Sequence, residues 1–419
     1  MLSLPSATVP LPLQATSDMS SPKSHSKSTK SSSKSSQKSH SLKSPSATSK
    51  RSPSKSPPGS PAEPKSHKRR FSPQSTEAKS SAQTKPNPDI DNHDDPDDDD
   101  CSARGSAASM TVSLSSSVLN YRKLYGRTYE NTESAEYWAP NDEQQNEGLD
   151  LVHNALFLVL DDQLFLAPIG EHPKRVLDIG TGTGIWAIAF GDEYPEAEVI
   201  GTDLSPIQPE WVPPNVKFVI EDCLLDWTWP LDYFDFIHIR TMYGSIPDWV
   251  DLYKKAYVHL APGGWVQDLE MDVRIQSDHV KLPPDHIFNR WADLFCQGGE
   301  MMGRSFDVCK GHTMRDNLEA AGFVDIVEKK FKAPVHSWAS DTKLWEAGSL
   351  IQAALEQSIE GYAILLLMDL MGWYREEVAV LLGLYRNEMR VKKNCGWVET
   401  TVVYGRKPLA SEVWFEATG

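Results

Sequence analysis

Cysteine is scarce in this chain of 419 residues: there are five, at positions 101, 223, 296, 309 and 395, and none stands in CxxC spacing. So few scattered thiols build neither a zinc ribbon nor a disulfide framework, which points to a reducing compartment and predicts no metal site. Long apolar runs are missing too. The longest candidate, residues 363–368, has six residues, far short of the ~20 that span a bilayer, and is expected as core helix. The opening MLSLPSATVPLPLQAT has no basic cluster and three prolines, so no secretory signal is expected. Basic charge is in deficit where the chain can fold. Residues 1–88 hold 15 Lys and Arg against three acids, residues 89–100 hold eight Asp, and residues 101–419 are left at a net −20. A body of that sign is not expected to grip nucleic acid through phosphate contacts.

Residues 1–110 are rich in Ser, Lys and Pro and poor in large apolar side chains, so they cannot offset the entropy of ordering a backbone and are expected to be disordered. Six Ser-Pro steps, at Ser21, Ser44, Ser52, Ser56, Ser60 and Ser72, surround the basic cluster Lys65-Ser66-His67-Lys68-Arg69-Arg70. That pattern predicts nuclear import flanked by proline-directed phosphorylation, with the nucleus, the cytoplasm or both as location.

Beyond the tail, residues 111–170 are expected to form a helical lid. Its core is a helix over 146–166, with Leu149, Val152, His153, Leu156 and Leu160 on one apolar stripe. From Arg175 apolar strands alternate with helical stretches, the pattern of a mostly parallel sheet with crossover helices. Strands are predicted at 175–179, 198–203, 216–220, 234–239 and 265–270, and an antiparallel closing pair at 323–331 and 398–406. Helical insertions are expected within 281–310 and 333–394, so the main domain is placed at 171–410. No internal repeat is found.

The sharpest local signal is Val176-Leu-Asp-Ile-Gly-Thr-Gly-Thr-Gly-Ile-Trp186, a strand running through a glycine turn into a helix. A dinucleotide fingerprint, GxGxxG, needs its third glycine at position 185, which is Ile. A dehydrogenase of the short-chain type also needs Tyr followed four positions later by Lys, and none of the 13 tyrosines is. Asp178, two residues before the first glycine, suits a cationic ligand such as one carrying a sulfonium and an α-ammonium group. Asp203 ends the second strand, where a carboxylate accepts from both hydroxyls of a ribose. Asp222 is placed to accept from an adenine amino group, and Cys223 to pack on the ring.

These segments, with residues 193–209 and 211–216, Leu260-Ala-Pro-Gly-Gly-Trp-Val266, Ala320-Ala-Gly-Phe-Val-Asp-Ile326 and Gly126-Arg-Thr-Tyr-Glu130, resemble the fungal LaeA-like (UMTA) class I methyltransferases over roughly residues 120–408. The resemblance implies an α/β fold, a Rossmann-like seven-stranded sheet, and S-adenosyl-L-methionine as methyl donor. It implies cofactor roles for Asp178, Gly180, Thr181, Gly182 and Gly184 on the first turn, and for Asp203, Leu204, Asp222 and Cys223 on the next two. Tyr129 and Arg240 are implied as well. Members of this group are secondary-metabolism regulators that associate with velvet-family proteins, or methyltransferases that tailor small natural products, so the acceptor is expected to be a small molecule or a protein. A cofactor-binding regulatory subunit with little activity is the alternative.

Positioning can carry much of a methyl transfer, so no base is required by the chemistry alone. His238 is expected inside a strand, His153, His286, His312 and His336 stand isolated, and none is nominated as catalytic. Residues 240–243 lack the Asn/Asp-Pro-Pro-Tyr pattern of amide and adenine methylators. Trp338, Trp345, Trp373 and Tyr374 are candidates for the wall of an aromatic acceptor pocket.

Overall fold

The structure is a computed structural model and describes residues 121–131 and 137–412; the expected tail, with its Ser-Pro steps, basic cluster and Asp run, lies outside the described residues. A short hairpin comes first, β1 (Arg122–Leu124) and β2 (Arg127–Tyr129). Tyr125 and Gly126 turn between them, both at positive φ, as a tight two-residue hairpin loop requires. Helix α1 (Glu143–Val159) follows and is capped by Asp142, whose side chain accepts from the Gln145 N–H. The expected helix over 146–166 therefore starts earlier and ends sooner. Asp161 and Asp162 both take left-handed φ, which a helix cannot continue through.

Then come β3 (Arg175–Ile179), α2 (Ile185–Glu193), β4 (Glu198–Asp203), β5 (Val216–Ile220), β6 (Phe234–Arg240), α3 (Trp249–His259) and β7 (Leu260–Gln276). Val176, Leu177, Val199, Ile200, Phe236 and Ile237 are buried, giving the continuous apolar runs of strands covered on both faces. Helices α4 (Ile287–Met302) and α5 (Thr313–Ala320), strand β8 (Val324–Pro334), helices α6 (Thr342–Ala363) and α7 (Arg375–Met389), and strand β9 (Trp397–Arg406) complete the described chain. The apolar run 363–368 does enter the core, wound largely as a π-helical segment, Ile364–Leu370, between α6 and α7.

The seven-stranded sheet has the order β5-β4-β3-β6-β7-β9-β8. Strands β5, β4, β3, β6 and β7 pair in parallel; β9 runs antiparallel between β7 and β8. The chain steps outward from β3 to β5, then returns to build the other half from β6. Such a reversal leaves a crevice over the carboxyl ends of β3, β4 and β6. β7 runs well past the predicted 265–270 because β9 pairs along it from Trp265–Arg406 to Gln276–Trp397, with a slip between Met271 and Ile275.

Candidate functional site

The crevice is a cavity of about 1070 Å³ lined from the ends of β3, β4, β5 and β6. Asp178, Gly180, Thr181, Gly182, Asp203, Leu204, Asp222, Cys223 and Arg240 all line it. Gly184 and Tyr129 do not. Gly184 caps α2 at φ 79°, and a Cβ there would fall on the Phe218 ring. A Cβ at Gly180 would fall on the Met242 sulfur. All three loop glycines take positive φ; Gly180 and Gly184 are required by the chain's own packing as well, and only the Gly182 position opens, toward Leu149 at 3.6 Å. Tyr129 is fully buried, with its hydroxyl donating to the Gly361 carbonyl at 2.6 Å. It ties the hairpin to α6 and stands apart from the cavity lining.

Asp203 accepts from the Gly182 N–H at 2.8 Å and the Ser205 N–H at 3.0 Å. Burial pushes its carboxyl up to about 6, against the pull of these donors. Asp222 accepts from the Leu224 N–H through one oxygen, while the other is buried with no partner among the described residues. A buried orphan acceptor at a cavity wall demands a donor from what fills the cavity. Burial pushes the Cys223 thiol up to about 12, so it meets a ligand as a neutral, polarisable surface.

Asp178 is less available than its position suggested. Its oxygens take the Thr181 hydroxyl at 2.6 Å and His238 Nδ1 at 2.7 Å. His238 stacks on Trp186, centroids 3.7 Å apart, and burial lowers its pKa despite Asp178. The imidazole is therefore neutral, with its Nδ1–H donating to the carboxylate. His153 is not isolated: it borders the cavity, 3.1 Å from an Arg240 guanidinium nitrogen. Burial, then Arg240 and His238, drive it down to about 3. Arg240 is itself lowered by burial but remains a cation on the cavity wall.

A second chamber of about 960 Å³ shares Tyr137, Leu149, Val152 and Thr241 with the first. Its aromatic wall is Trp138, Tyr243, Trp291, Phe295, Tyr362 and Tyr385. The four aromatics expected there do not reach it. Trp345 and Tyr374 are 47% and 75% exposed, Trp338 donates to the Gly396 carbonyl, and Trp373 packs beside Arg290. The true wall comes from several separate segments, so no helical spacing marked it. Helices α4, α6 and α7 supply part of it.

Between the two spaces runs the turn after β6, and an acid missed in the sequence holds it. Glu270 accepts from the Met242 N–H at 2.7 Å and the Tyr243 N–H at 3.0 Å. Asp268, beside it, takes the Tyr253 hydroxyl at 2.6 Å. Both acids are fully buried; burial pushes Asp268 up to about 7, and burial together with Asp268 pushes Glu270 well above the usual range. The only hint in the sequence is an acid at every second position of an otherwise core strand.

Neither a helix long and apolar enough to cross a membrane nor a cluster of metal-ligating side chains is found among the described residues. A family model described as a methyltransferase domain matches residues 152–328, and the sheet order with its carboxyl-edge cavity is that of a class I methyltransferase. Among solved structures, phosphoethanolamine N-methyltransferase 2 of Haemonchus contortus is similar at 17% identity and TM-score 0.36, over 57% of this chain and 50% of that one. Methyltransferase pytC of Aspergillus terreus is 40% identical over 301 residues, 72% of this chain and 92% of that protein. Secondary metabolism regulator LAE1 of Cochliobolus heterostrophus is 36% identical over 253 residues, 59% of this chain and 82% of that protein. The chain belongs to the LaeA-like family of S-adenosylmethionine-dependent methyltransferases.

Proposed function

We propose that this enzyme methylates a small-molecule or protein acceptor seated in the aromatic chamber, and that its product or its activity serves secondary metabolism and development. The observation that carries the reading is the shared wall: a cavity suited to a nucleoside and an aromatic chamber meet at Tyr137, Leu149, Val152 and Thr241. S-adenosylmethionine supplies an electrophilic methyl group when bound. The residues present fit it. The unpartnered Asp222 oxygen suits an adenine amino group, Asp203 suits ribose hydroxyls, and the Arg240 guanidinium suits a carboxylate. With His153 and His238 neutral, Arg240 supplies positive charge on the cavity wall, and Leu149 and Val152 give the boundary between the two spaces an apolar lining.

A regulatory role is a second reading, favoured by the relatives named as secondary metabolism regulators. Velvet-type partners, and nuclear import through Lys68-Arg69-Arg70, belong to it. Calorimetry with S-adenosylmethionine on the full chain, followed by untargeted metabolite comparison of a deletion strain with an Asp203→Ala strain, separates the readings. Identical losses in both strains support catalysis. An Asp203→Ala strain that behaves as wild type, although its protein no longer binds the cofactor, sinks catalysis and leaves regulation. For import, a fluorescent fusion with Lys68, Arg69 and Arg70 changed to Ala should leave the nucleus; an unaltered distribution removes that claim.

A further inference from the structure

The aromatic chamber is lined by one carboxyl group, Asp272. It stands on β7 where that strand slips in its pairing with β9 between Met271 and Ile275, the kind of irregularity that re-aims a side chain. One oxygen of Asp272 accepts from the Arg274 N–H at 2.9 Å, and among the described residues no group donates to the other. Gln145 and Tyr362 bring a linked pair of polar groups to the same space. The Tyr362 hydroxyl accepts from Gln145 Nε2 at 2.9 Å, which leaves its own proton to give, and Gln145 Oε1 is buried without a partner. Tyr137, Tyr243 and Tyr385 bring phenol hydroxyls to the wall as well, but a phenol gives a ligand hydroxyl no charged acceptor; the remaining side chains are apolar, aromatic or, in Thr241, already donating to a carbonyl.

We infer that the chamber takes a flat, neutral aromatic molecule bearing a hydroxyl group, and that this hydroxyl donates to the free oxygen of Asp272. Rings on the wall offer edges and faces to a planar ligand. A neutral ligand enters without stripping water from an ion. A cationic amine is the less suited occupant because the Arg274 guanidinium, which faces Asp293 at 3.4 Å and Asp307 at 3.8 Å, already places positive charge close enough to act on Asp272. Burial pushes the Asp272 carboxyl upward, Arg274 pulls it down, and Asp307 and Glu399 push with burial. A carboxylate so placed is a stronger hydrogen-bond acceptor than one in water.

The inference rests on the reading of this chamber as the acceptor side, and the test keeps the two apart. S-adenosylmethionine is titrated calorimetrically into the full chain and into Asp272→Leu and Asp272→Asn variants, and then three probes are titrated: 2-naphthol, 2-methoxynaphthalene and 2-(2-naphthyl)ethylammonium. Wild type should prefer the naphthol to its methyl ether by about tenfold, one charge-assisted hydrogen bond. Asp272→Leu should bind the two alike, and Asp272→Asn should keep a reduced preference, while both variants hold the cofactor within about threefold of wild type. Cofactor binding with no naphthol preference in wild type, or a preference retained in Asp272→Leu, overturns the inference and leaves the methyltransferase reading standing. Tighter binding of the ammonium probe, or no binding of 2-naphthol, overturns it equally. Failure of wild type to bind S-adenosylmethionine is the result that would strike the reading beneath it.

Discussion

Asp203 holds two backbone N–H groups in place and keeps lone pairs for a ligand, so its protonation state matters twice. Its carboxyl sits at about 6 because burial outweighs its donors. Below that pH the side chain becomes neutral and loses its charge-assisted bonds. Cofactor affinity measured by calorimetry should therefore fall as pH drops from about 7 to 5, and Asp203→Ala should weaken binding by about 1.5–3 kcal/mol at neutral pH. An affinity flat across that range in wild type would remove the titrating role. Gly180 is a different case. It has φ 66° and would place a Cβ on the Met242 sulfur. Gly180→Ala should cost about 1–2 kcal/mol from backbone handedness alone, read as a lower denaturation midpoint, with added loss if Met242 cannot move. The position of these two residues was legible in the sequence, since strand, glycines and acid follow in fixed order. What the glycines face was not, because Phe218 arrives from β5 and Met242 from the turn after β6, both encoded well beyond the loop.

Helix α1 shows how an element can be half legible. Its apolar stripe marked it, yet its start depends on Asp142, which caps the helix and also pairs with Arg127 from the hairpin, at 2.5 Å to Nε and 2.8 Å to Nη2. The pair couples β2 to the lid, and Arg127 is only 9% exposed. Asp142→Ala removes a cap, about 1 kcal/mol, and strands a buried guanidinium, about 3 kcal/mol or more. Asp142→Asn should restore the cap and little of the pair. Chemical denaturation that places both variants at the wild-type midpoint would show that the hairpin does not brace α1. The acceptor wall was illegible at this scale for a related reason. Trp138, Trp291, Tyr362 and Tyr385 come from a loop and three helices, and sequence spacing cannot report a contact between elements.

At the scale of the molecule, the alternation of apolar and helical segments predicted the parallel sheet and its antiparallel closure, but not that the centre of the sheet would bury two acids. Asp268 and Glu270 lie on β7, between the parallel half and β9, where no water reaches their side chains. Burial favours the protonated form of each, and proximity means that both cannot ionise cheaply. The folded protein consequently binds more protons here than the unfolded chain between the ordinary carboxyl range and about pH 7. Stability linked to this pair is present below pH 4 and is lost as pH rises toward 7, opposite in sign to a salt-bridged carboxylate. Asp268→Asn keeps an oxygen for the Tyr253 hydroxyl and removes one titration, so its unfolding free energy should depend less on pH between 4 and 7 than that of wild type. Because Glu270 fixes the Met242 and Tyr243 amides at the boundary of the two spaces, Glu270→Gln should additionally loosen that turn and weaken cofactor binding. Denaturation at pH 5 and 7.5 decides the point: equal pH slopes for wild type and Asp268→Asn would mean that the pair is not proton-linked to folding.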